Sequence, residues 1–155
     1  MDGNTENPPV AFEAVSDSIR TARFPADAKA VIGILRGGRV PACLIAHHLR
    51  LPLQTVRIRF RDDSNEPLSE APVLVGPGPK PETSGGSVLL VDDVSVSGAT
   101  LAEARRHLGG SKITTVVLKG KADIVLMPDL PAGCVDWPWN EDRGSENRPG
   151  SKPGE

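Results

Sequence analysis

Two adjacent carboxylates, Asp92 and Asp93, follow a short apolar run and precede small and hydroxyl residues that end near Thr100. In parallel sheets, ligands bind at the carboxyl ends of strands, and the amino end of a following helix offers backbone N–H groups to a phosphate. Carboxylates accept hydrogen bonds from sugar hydroxyls, or hold a Mg²⁺ ion that phosphates also ligate. The stretch VLLVDDVSVSGAT therefore predicts a site for a phosphorylated sugar with a metal.

Three other patterns share parts of this stretch. Ser and Asp are common at the cap that begins a helix, which would make the acids coincidental. A nucleotide hydrolase also carries a magnesium-binding acid after a strand, but it needs a loop ending in GK[ST], which this sequence lacks. A phospho-receiver domain has its paired acids after the first strand, whereas these acids lie late in the chain. We favour the phosphosugar interpretation.

A second candidate anion site lies at Arg36, Gly37 and Gly38, between an apolar run and a helical pattern. Paired glycines let the backbone turn sharply and approach a ligand closely. The Arg36 guanidinium is a forked, permanently charged donor that suits phosphate oxygens. The alternative is an ordinary strand-to-helix turn with a surface arginine. Together with the paired acids, the turn predicts a second anion site on the same sheet edge.

Alternating apolar runs and helical patterns must position these two stretches. Short apolar runs predict strands at 30–35, 88–91, 113–118 and 124–126, and alternation from Thr55 predicts a strand with one wetter face at 53–60. Helical spacing predicts helices at 10–24, 41–49 and 100–108. This order predicts an α/β fold with a mostly parallel β-sheet flanked by helices.

Length and composition exclude several classes of protein. The 155 residues fit one domain, and a net charge of −2 gives no strong field for nucleic acid or an anionic membrane. Two cysteines are too few for a disulfide framework or a Cys-based zinc site. The sequence has no apolar run of membrane-spanning length and no start typical of a signal peptide. A cytoplasmic protein with reduced thiols is expected.

Composition also divides the chain into segments. Residues 1–9 and 141–155 are polar and are predicted to be disordered tails around a folded domain at 10–140. Residues 61–87 contain many prolines and end in two glycines, which predicts a long loop. A loop of this length inside a compact domain is usually functional or disordered.

The two stretches together resemble the type I phosphoribosyltransferases. VLLVDDVSVSGAT looks like the family's motif for phosphoribosyl pyrophosphate (PRPP), and ILRGG looks like its pyrophosphate loop. Within the family, VIGILRGGRVPACLIAHHL and CVDWPWN are most similar to the bacterial xanthine–guanine phosphoribosyltransferases. The resemblance covers about residues 10–140. It implies the type I phosphoribosyltransferase fold, in which 61–87 would be a mobile loop that closes over the reacting centre, with a small C-terminal hood.

The resemblance also implies a role for each matching position. Binding of PRPP and its phosphates would fall to Leu35, Arg36, Gly37, Asp92, Asp93, Ser95, Val96, Ser97, Gly98, Ala99 and Thr100. Arg36, Asp92 and Asp93 would be catalytic, and Asp93 would bind Mg²⁺. Base binding would fall to Lys119, Cys134 and Val135, with Lys119 reading a 6-oxo group. The Leu35–Arg36 peptide is expected to be strained or cis.

Three positions depart from the family's pattern. Val96 stands where the relatives carry an acid that handles the proton on the base, and valine cannot transfer a proton. Cys134 replaces an aromatic that stacks on guanine, which loses about 1–3 kcal/mol of stacking. Trp137 is a candidate to replace that stacking or to fill the core. No arginine matches the basic residue of the relatives' mobile loop, for which Lys80 is the nearest candidate.

The expected activity is transfer of the phosphoribosyl group of PRPP to a nucleobase, with Mg²⁺ and release of pyrophosphate. A 6-oxopurine (guanine, xanthine or hypoxanthine) is the expected acceptor, in purine salvage, and a homodimer or homotetramer is the expected assembly. Two alternatives stay open: a non-catalytic PRPP- or nucleotide-sensing regulator of the same fold, and a phosphoribosyltransferase with a non-purine acceptor. Val96 and Cys134 favour the sensor, whereas the retained acids and Lys119 favour the enzyme.

Overall fold

The computed structural model describes residues 6–59, 72–109 and 111–140, and the structural statements below refer to this part of the chain. Helices and strands follow one another in the order α1 (Phe12–Thr21), β1 (Ala28–Leu35), α2 (Arg39–Leu49), β2 (Leu53–Arg59), β3 (Val73–Val75), β4 (Ser87–Ser95), α3 (Ala99–His107), β5 (Lys112–Gly120) and β6 (Ile124–Val125). These elements confirm the predicted α/β class.

The strands form one sheet in the order β3-β2-β1-β4-β5-β6. Every neighbouring pair is parallel except β2 and β3, which are antiparallel. The chain proceeds outward from β1 in one direction and from β4 in the other, so the strand order reverses between these two neighbours. In open α/β sheets, ligands bind in the crevice outside the carboxyl ends of the strands at such a point. The two candidate binding stretches lie at this point: the Arg36 turn follows β1, and the paired acids lie near the end of β4.

Helices cover both faces of the sheet and create two apolar cores. On one face, Val15 of α1 and Ile45 of α2 pack over Leu89 of β4. On the other face, Leu101 of α3 packs over Leu90 of β4 and Ile32 of β1. Because β1 and β4 are buried on both faces, they read as continuous apolar runs in the sequence, which is typical of parallel strands.

The prediction of a loop at 61–87 is corrected in part, because Val73–Val75 form the strand β3. Val73 pairs with Arg59 and Val75 pairs with Arg57, so β3 extends the sheet as an antiparallel edge strand. Between them, Leu74 packs against the core under α3. Only three residues long and bounded by Pro72 and Gly76, β3 is too short to show a strand pattern in the sequence. Residues 60–71 lie outside the described part of the chain.

The folded region starts slightly before the predicted boundary. Pro9 forms a bridge with Asp136, and the backbone N–H groups of Val10 and Asp136 donate to the carbonyls of Asp136 and Pro8, each at 2.9 Å. Pro8 and Pro9 thus belong to the folded region, because a parallel bridge joins this segment to the C-terminal segment at Asp136. The rest of the two predicted tails, at 1–5 and 141–155, lies outside the described residues. None of the helices in the described part combines the length and apolarity needed to cross a bilayer.

Candidate active site

The paired acids lie inside β4, whereas the sequence pattern predicted that the strand ends before them. β4 continues to Ser95 because its partner β5 is equally long and the parallel ladder extends over both strands. In that ladder Val94 is the partner of Lys119 and Ser95 is the partner of Gly120. The register therefore places Lys119, a predicted base-binding residue, beside the predicted PRPP motif.

Gly120 allows the ends of β4 and β5 to approach closely. A Cβ at this residue would lie 2.0 Å from the carbonyl oxygen of Ser95, and its φ of +110° falls in the region that favours glycine. The next residue, Lys121, donates its backbone N–H to the same Ser95 oxygen at 2.8 Å. This clasp fixes the positions of Lys119 and Lys121 relative to the β4 motif.

Asp92 and Asp93 differ in their surroundings although they are adjacent. Asp92 is only 8% exposed, and its Oδ1 accepts a hydrogen bond from the Asp93 N–H at 2.9 Å. Burial, with the negative charge of Asp93 adding to it, raises the pKa of Asp92 well above its ordinary range. Asp93 is half-buried, and its Oδ1 accepts from the Val94 N–H at 2.8 Å. Asp93 is therefore the better exposed carboxylate for a cation.

The turn after β1 lies directly against these acids. The peptide bond between Leu35 and Arg36 is cis, as the resemblance implies. A Cβ at Gly37 would lie 2.4 Å from Asp93 Oδ1, and a Cβ at Gly38 would lie 2.4 Å from the Val91 carbonyl oxygen. Both glycines are thus needed for the turn to approach β4. Arg36 is exposed at this edge of the sheet, so the two predicted anion sites are adjacent.

The amino end of α3 forms the first cavity of the site, here called the phosphate cavity. Its volume is about 440 Å³, and its lining comprises Asp92, Val94, Ser95, Val96, Ser97, Gly98, Ala99 and Thr100. Gly98 caps the helix with a φ of +81°, and the first turn carries no acidic residue. The free N–H groups and positive dipole of this helix end therefore face no competing carboxylate from that turn.

A second cavity, here called the base cavity, lies between the ends of β4 and β5 and the C-terminal segment. Its volume is about 740 Å³, and its lining comprises Val94, Ser95, Val96, Lys119, Gly120, Lys121, Gly133, Cys134, Val135 and Trp137. The Lys119 ammonium donates a hydrogen bond to the Gly133 carbonyl. Trp137 is 4% exposed and stacks on Trp139 with ring centroids 5.5 Å apart. Trp137 therefore fills the core and also walls the cavity.

The two cavities share Val94, Ser95 and Val96 and so form one continuous site. The structure brings together the predicted motif residues of β4 and α3 with Lys119, Cys134 and Val135. Lys80 is not part of this group: its backbone N–H donates to Gln54 at the amino end of β2, away from the carboxyl edge. Sequence reasoning missed Lys121. Its position only two residues after Lys119, a predicted base-binding residue, could have suggested it.

Comparison with known proteins identifies the family. The phosphoribosyl transferase domain matches residues 11–140 of this chain. The chain belongs to the type I phosphoribosyltransferase family. This membership confirms the resemblance drawn from the PRPP motif and the RGG turn.

Solved structures share the phosphoribosyltransferase fold at low sequence identity. A purine phosphoribosyltransferase from Pyrococcus horikoshii Ot3 has a TM-score of 0.59 and 24% identity, over 90% of this chain and 97% of that one. The xanthine-guanine-hypoxanthine phosphoribosyltransferase of Helicobacter pylori has a TM-score of 0.65 and 16% identity, over 87% and 94%. A hypothetical protein from Neisseria gonorrhoeae with bound ppGpp has a TM-score of 0.58 and 22% identity, over 85% and 80%. At these identities the likeness establishes the fold.

Proposed function

We propose that this phosphoribosyltransferase transfers the phosphoribosyl group of PRPP to a 6-oxopurine and releases pyrophosphate. The observation that carries the proposal is the continuity of the phosphate cavity and the base cavity along Val94–Val96. In the product nucleotide, the ribose of the phosphoribosyl group connects the 5′-phosphate to the base. The shared residues at the end of β4 can therefore hold the phosphate on one side and expose the anomeric carbon to a base on the other.

The phosphate cavity supports binding of the 5′-phosphate of PRPP. Backbone N–H groups at the start of α3 and the hydroxyls of Ser97 and Thr100 supply donors. The Ser95 hydroxyl is buried and has no hydrogen-bond partner in the described part of the chain. An unpaired buried hydroxyl costs about 1–3 kcal/mol, so a ligand oxygen that accepts from Ser95 would offset that cost.

Arg36 and the acids support the displacement itself. The C1–O bond to pyrophosphate breaks as the bond from C1 to a base nitrogen forms, so negative charge develops on the leaving group and positive charge on the sugar. The Arg36 guanidinium can stabilise the first, because preorganised donors act where charge develops. Asp92 and Asp93 lie next to the phosphate cavity, where they can accept hydrogen bonds from the ribose hydroxyls.

Asp93 is the proposed Mg²⁺ ligand. Mg²⁺ is commonly bound through one or two carboxylates, with water and substrate phosphates completing its coordination. The donor set fits this pattern: Asp93 is a half-buried carboxylate beside the turn at Gly37, and the adjacent Asp92 lines the phosphate cavity. When bound, the ion would neutralise charge on the pyrophosphate oxygens.

The assembly as a homodimer or homotetramer and the cytoplasmic location also stay predictions.

The base cavity supports an oxopurine acceptor. Lys119 retains free ammonium protons after its bond to Gly133, because an ammonium group has three donors, and it can read a 6-oxo group. Val135 and Trp137 provide apolar walls for a flat ring, with Cys134 beside them. Such walls also exclude water from the reacting carbon, since water would otherwise hydrolyse PRPP.

A nucleotide-sensing regulator is the second candidate function. Val96 is 79% exposed and lines the base cavity without a group that transfers protons, as expected if no base is to be converted. The hypothetical protein from Neisseria gonorrhoeae, which has this fold, has ppGpp, a nucleotide, bound. A sensor would retain the phosphate cavity and bind its ligand without releasing pyrophosphate.

One assay separates the two functions. The pure protein is incubated with PRPP, Mg²⁺ and guanine, xanthine, hypoxanthine, adenine, uracil or orotate, and base-dependent pyrophosphate release is measured. Release with a 6-oxopurine is expected. In parallel, calorimetry should show that Asp93→Asn abolishes Mg²⁺-dependent PRPP binding while the protein stays folded. Silence with every base, together with intact PRPP or ppGpp binding by the wild type, would favour the sensor or a transferase whose acceptor lies outside this panel. Unchanged PRPP affinity of Asp93→Asn would contradict the site.

A further inference from the structure

Among the described residues, those that line the base cavity include two lysines but no carboxylate or histidine that could act as a general base. Its ionisable side chains in the described part of the chain are Lys119, Lys121 and Cys134. Asp92 belongs to the adjoining phosphate cavity, where its Oδ1 already accepts from the Asp93 N–H. Asp136 lies next to this segment in sequence, but its Oδ1 accepts from Asn140 and it does not line the cavity.

Lys121 adds a second positive charge beside Lys119. The two lysines flank Gly120, and both line the base cavity. The clasp from Lys121 to Ser95 holds this arrangement against β4. None of the described carboxylates forms an ion pair with either lysine. Apolar walls at Val94, Val96 and Val135 strengthen the field of these charges, because it is screened less than in water.

These features create a proton problem for a neutral base. Between base and nucleotide one ring N–H proton must be lost, from the attacking nitrogen or from the other imidazole nitrogen, and a lysine ammonium that is already protonated cannot take it. We infer that the acceptor enters the cavity as an anion. The acceptor would be an oxo-nucleobase whose ring N–H ionises near neutral pH, held by Lys119 and Lys121. This inference rests on the proposed transfer reaction and narrows its acceptor.

The resulting step balances without a protein base. The ring N–H proton goes to solvent before binding, and the lone pair of the anionic nitrogen forms the bond to C1 of PRPP. The C1–O bond breaks, and its electron pair leaves with pyrophosphate. The negative charge of the base is consumed in the new bond, so the nucleotide forms with no proton transferred to the protein.

The decisive probes are bases that differ in acidity and hardly in shape. In 8-azaguanine a ring nitrogen replaces the C8–H of guanine, which makes the ring N–H more acidic. Because the ionised fraction falls about tenfold for each pH unit below a pKa, kcat/KM at pH 7 should be about tenfold or more higher for 8-azaguanine than for guanine. Equal kcat/KM values for the two bases would overturn the inference.

Variants connect binding of the anion to Lys121. Lys121→Met should lower kcat/KM for 8-azaguanine by about tenfold, because the cavity loses one of its two positive charges, and Lys121→Arg should restore it because arginine keeps the charge. Lys29→Met is the matched control, since Lys29 is exposed at the amino end of β1, the opposite end of the sheet. A kcat/KM for 8-azaguanine that is unchanged in Lys121→Met, or that falls equally in Lys29→Met, would contradict the assignment to Lys121.

A spectroscopic measurement tests the inference apart from turnover. Xanthine has different ultraviolet spectra as a neutral molecule and as an anion, so its protonation state when bound can be read directly. Below the pKa of free xanthine, we expect the protein to bind it with the spectrum of the anion and to release protons to the buffer. If no base yields pyrophosphate but the anion binds, the transferase proposal fails and the anion inference stands. A neutral bound spectrum, or no binding at any pH at which the protein is folded, would overturn the inference.

Discussion

Gly37 is packed directly against Asp93. A Cβ at Gly37 would lie 2.4 Å from Oδ1 and 2.6 Å from Oδ2 of that carboxylate. The turn that carries Arg36 and the strand that carries the acids thus meet at this contact, and the absence of a side chain at residue 37 permits their close approach. This contact connects the two halves of the sheet at the point where the strand order reverses.

Gly37→Ala should therefore damage the site more than the fold. The new methyl group must displace either the Asp93 carboxylate or the Arg36 turn, and we expect PRPP affinity in the presence of Mg²⁺ to fall by about tenfold or more, which is roughly 1.4 kcal/mol. Calorimetry measures the loss. Gly109→Ala is the control, because a Cβ there meets nothing within 4 Å. Similar PRPP affinities for the two variants would contradict the contact.

Asp92 is predicted to reduce the stability of the fold that holds it. Burial raises its pKa, so between the ordinary value of 3.8 and that raised value the folded state keeps a proton that the unfolded state has lost. The unfolded state then binds fewer protons, and stability falls as the pH rises through this window. Asn keeps the acceptor for the Asp93 N–H without the charge. Asp92→Asn should thus raise the free energy of unfolding at pH 7.

Thermal unfolding at several pH values measures this effect. A gain of about 1 kcal/mol corresponds to a rise in Tm of roughly 4 °C for a domain of this size. The gain should shrink as the pH falls toward 3.8 and the wild-type carboxyl is protonated in both states. A variant that is less stable than the wild type at pH 7, or whose gain does not depend on pH, would show that Asp92 is not penalised by burial.

Asp27 is predicted to act in the opposite sense at the amino ends of the strands. Its Oδ2 accepts from the Lys112 ammonium at 3.0 Å and its Oδ1 accepts from the Ser87 hydroxyl at 2.9 Å. The bond to Lys112, followed by that to Ser87, lowers the pKa of Asp27. Its contribution to stability is thus present above its ordinary pKa and is lost as the pH falls through the lowered value.

Asp27→Asn measures that contribution. Its Tm should lie only slightly below that of the wild type at pH 7, because the pair is exposed and water and salt screen an exposed ion pair. The difference should close in acid. In a Lys112→Met background the same substitution should have a smaller effect at pH 7. An undiminished effect there would exclude Lys112 as the main partner.

The sequence was sufficient to predict the parts of the site that depend on local chemistry. The PRPP motif at 92–100 and the Arg36 turn lie at one edge of the sheet as predicted, because parallel strands end at one edge. The extension of β4 through Asp92 and Asp93 was not predictable, since it depends on pairing with β5. The same register brings Lys121 into the base cavity. Gly120 indicates a close approach of β4 and β5 only when Ser95 is known to be its partner in the ladder.

Val96→Asp tests how the base loses its proton. Val96 is 79% exposed and lines both cavities, so an aspartate can be accommodated there without disturbing the core. If the wild type depends on bases that are already ionised, a carboxylate at this position should act as a general base and raise kcat/KM for guanine by about 10²-fold or more. It should raise the value for 8-azaguanine much less, so the preference between the two bases narrows. Val96→Asn, which has the same shape and no proton-accepting charge, is the matched control. Equal gains for Val96→Asp and Val96→Asn, or no gain for guanine, would mean that proton removal does not limit the reaction.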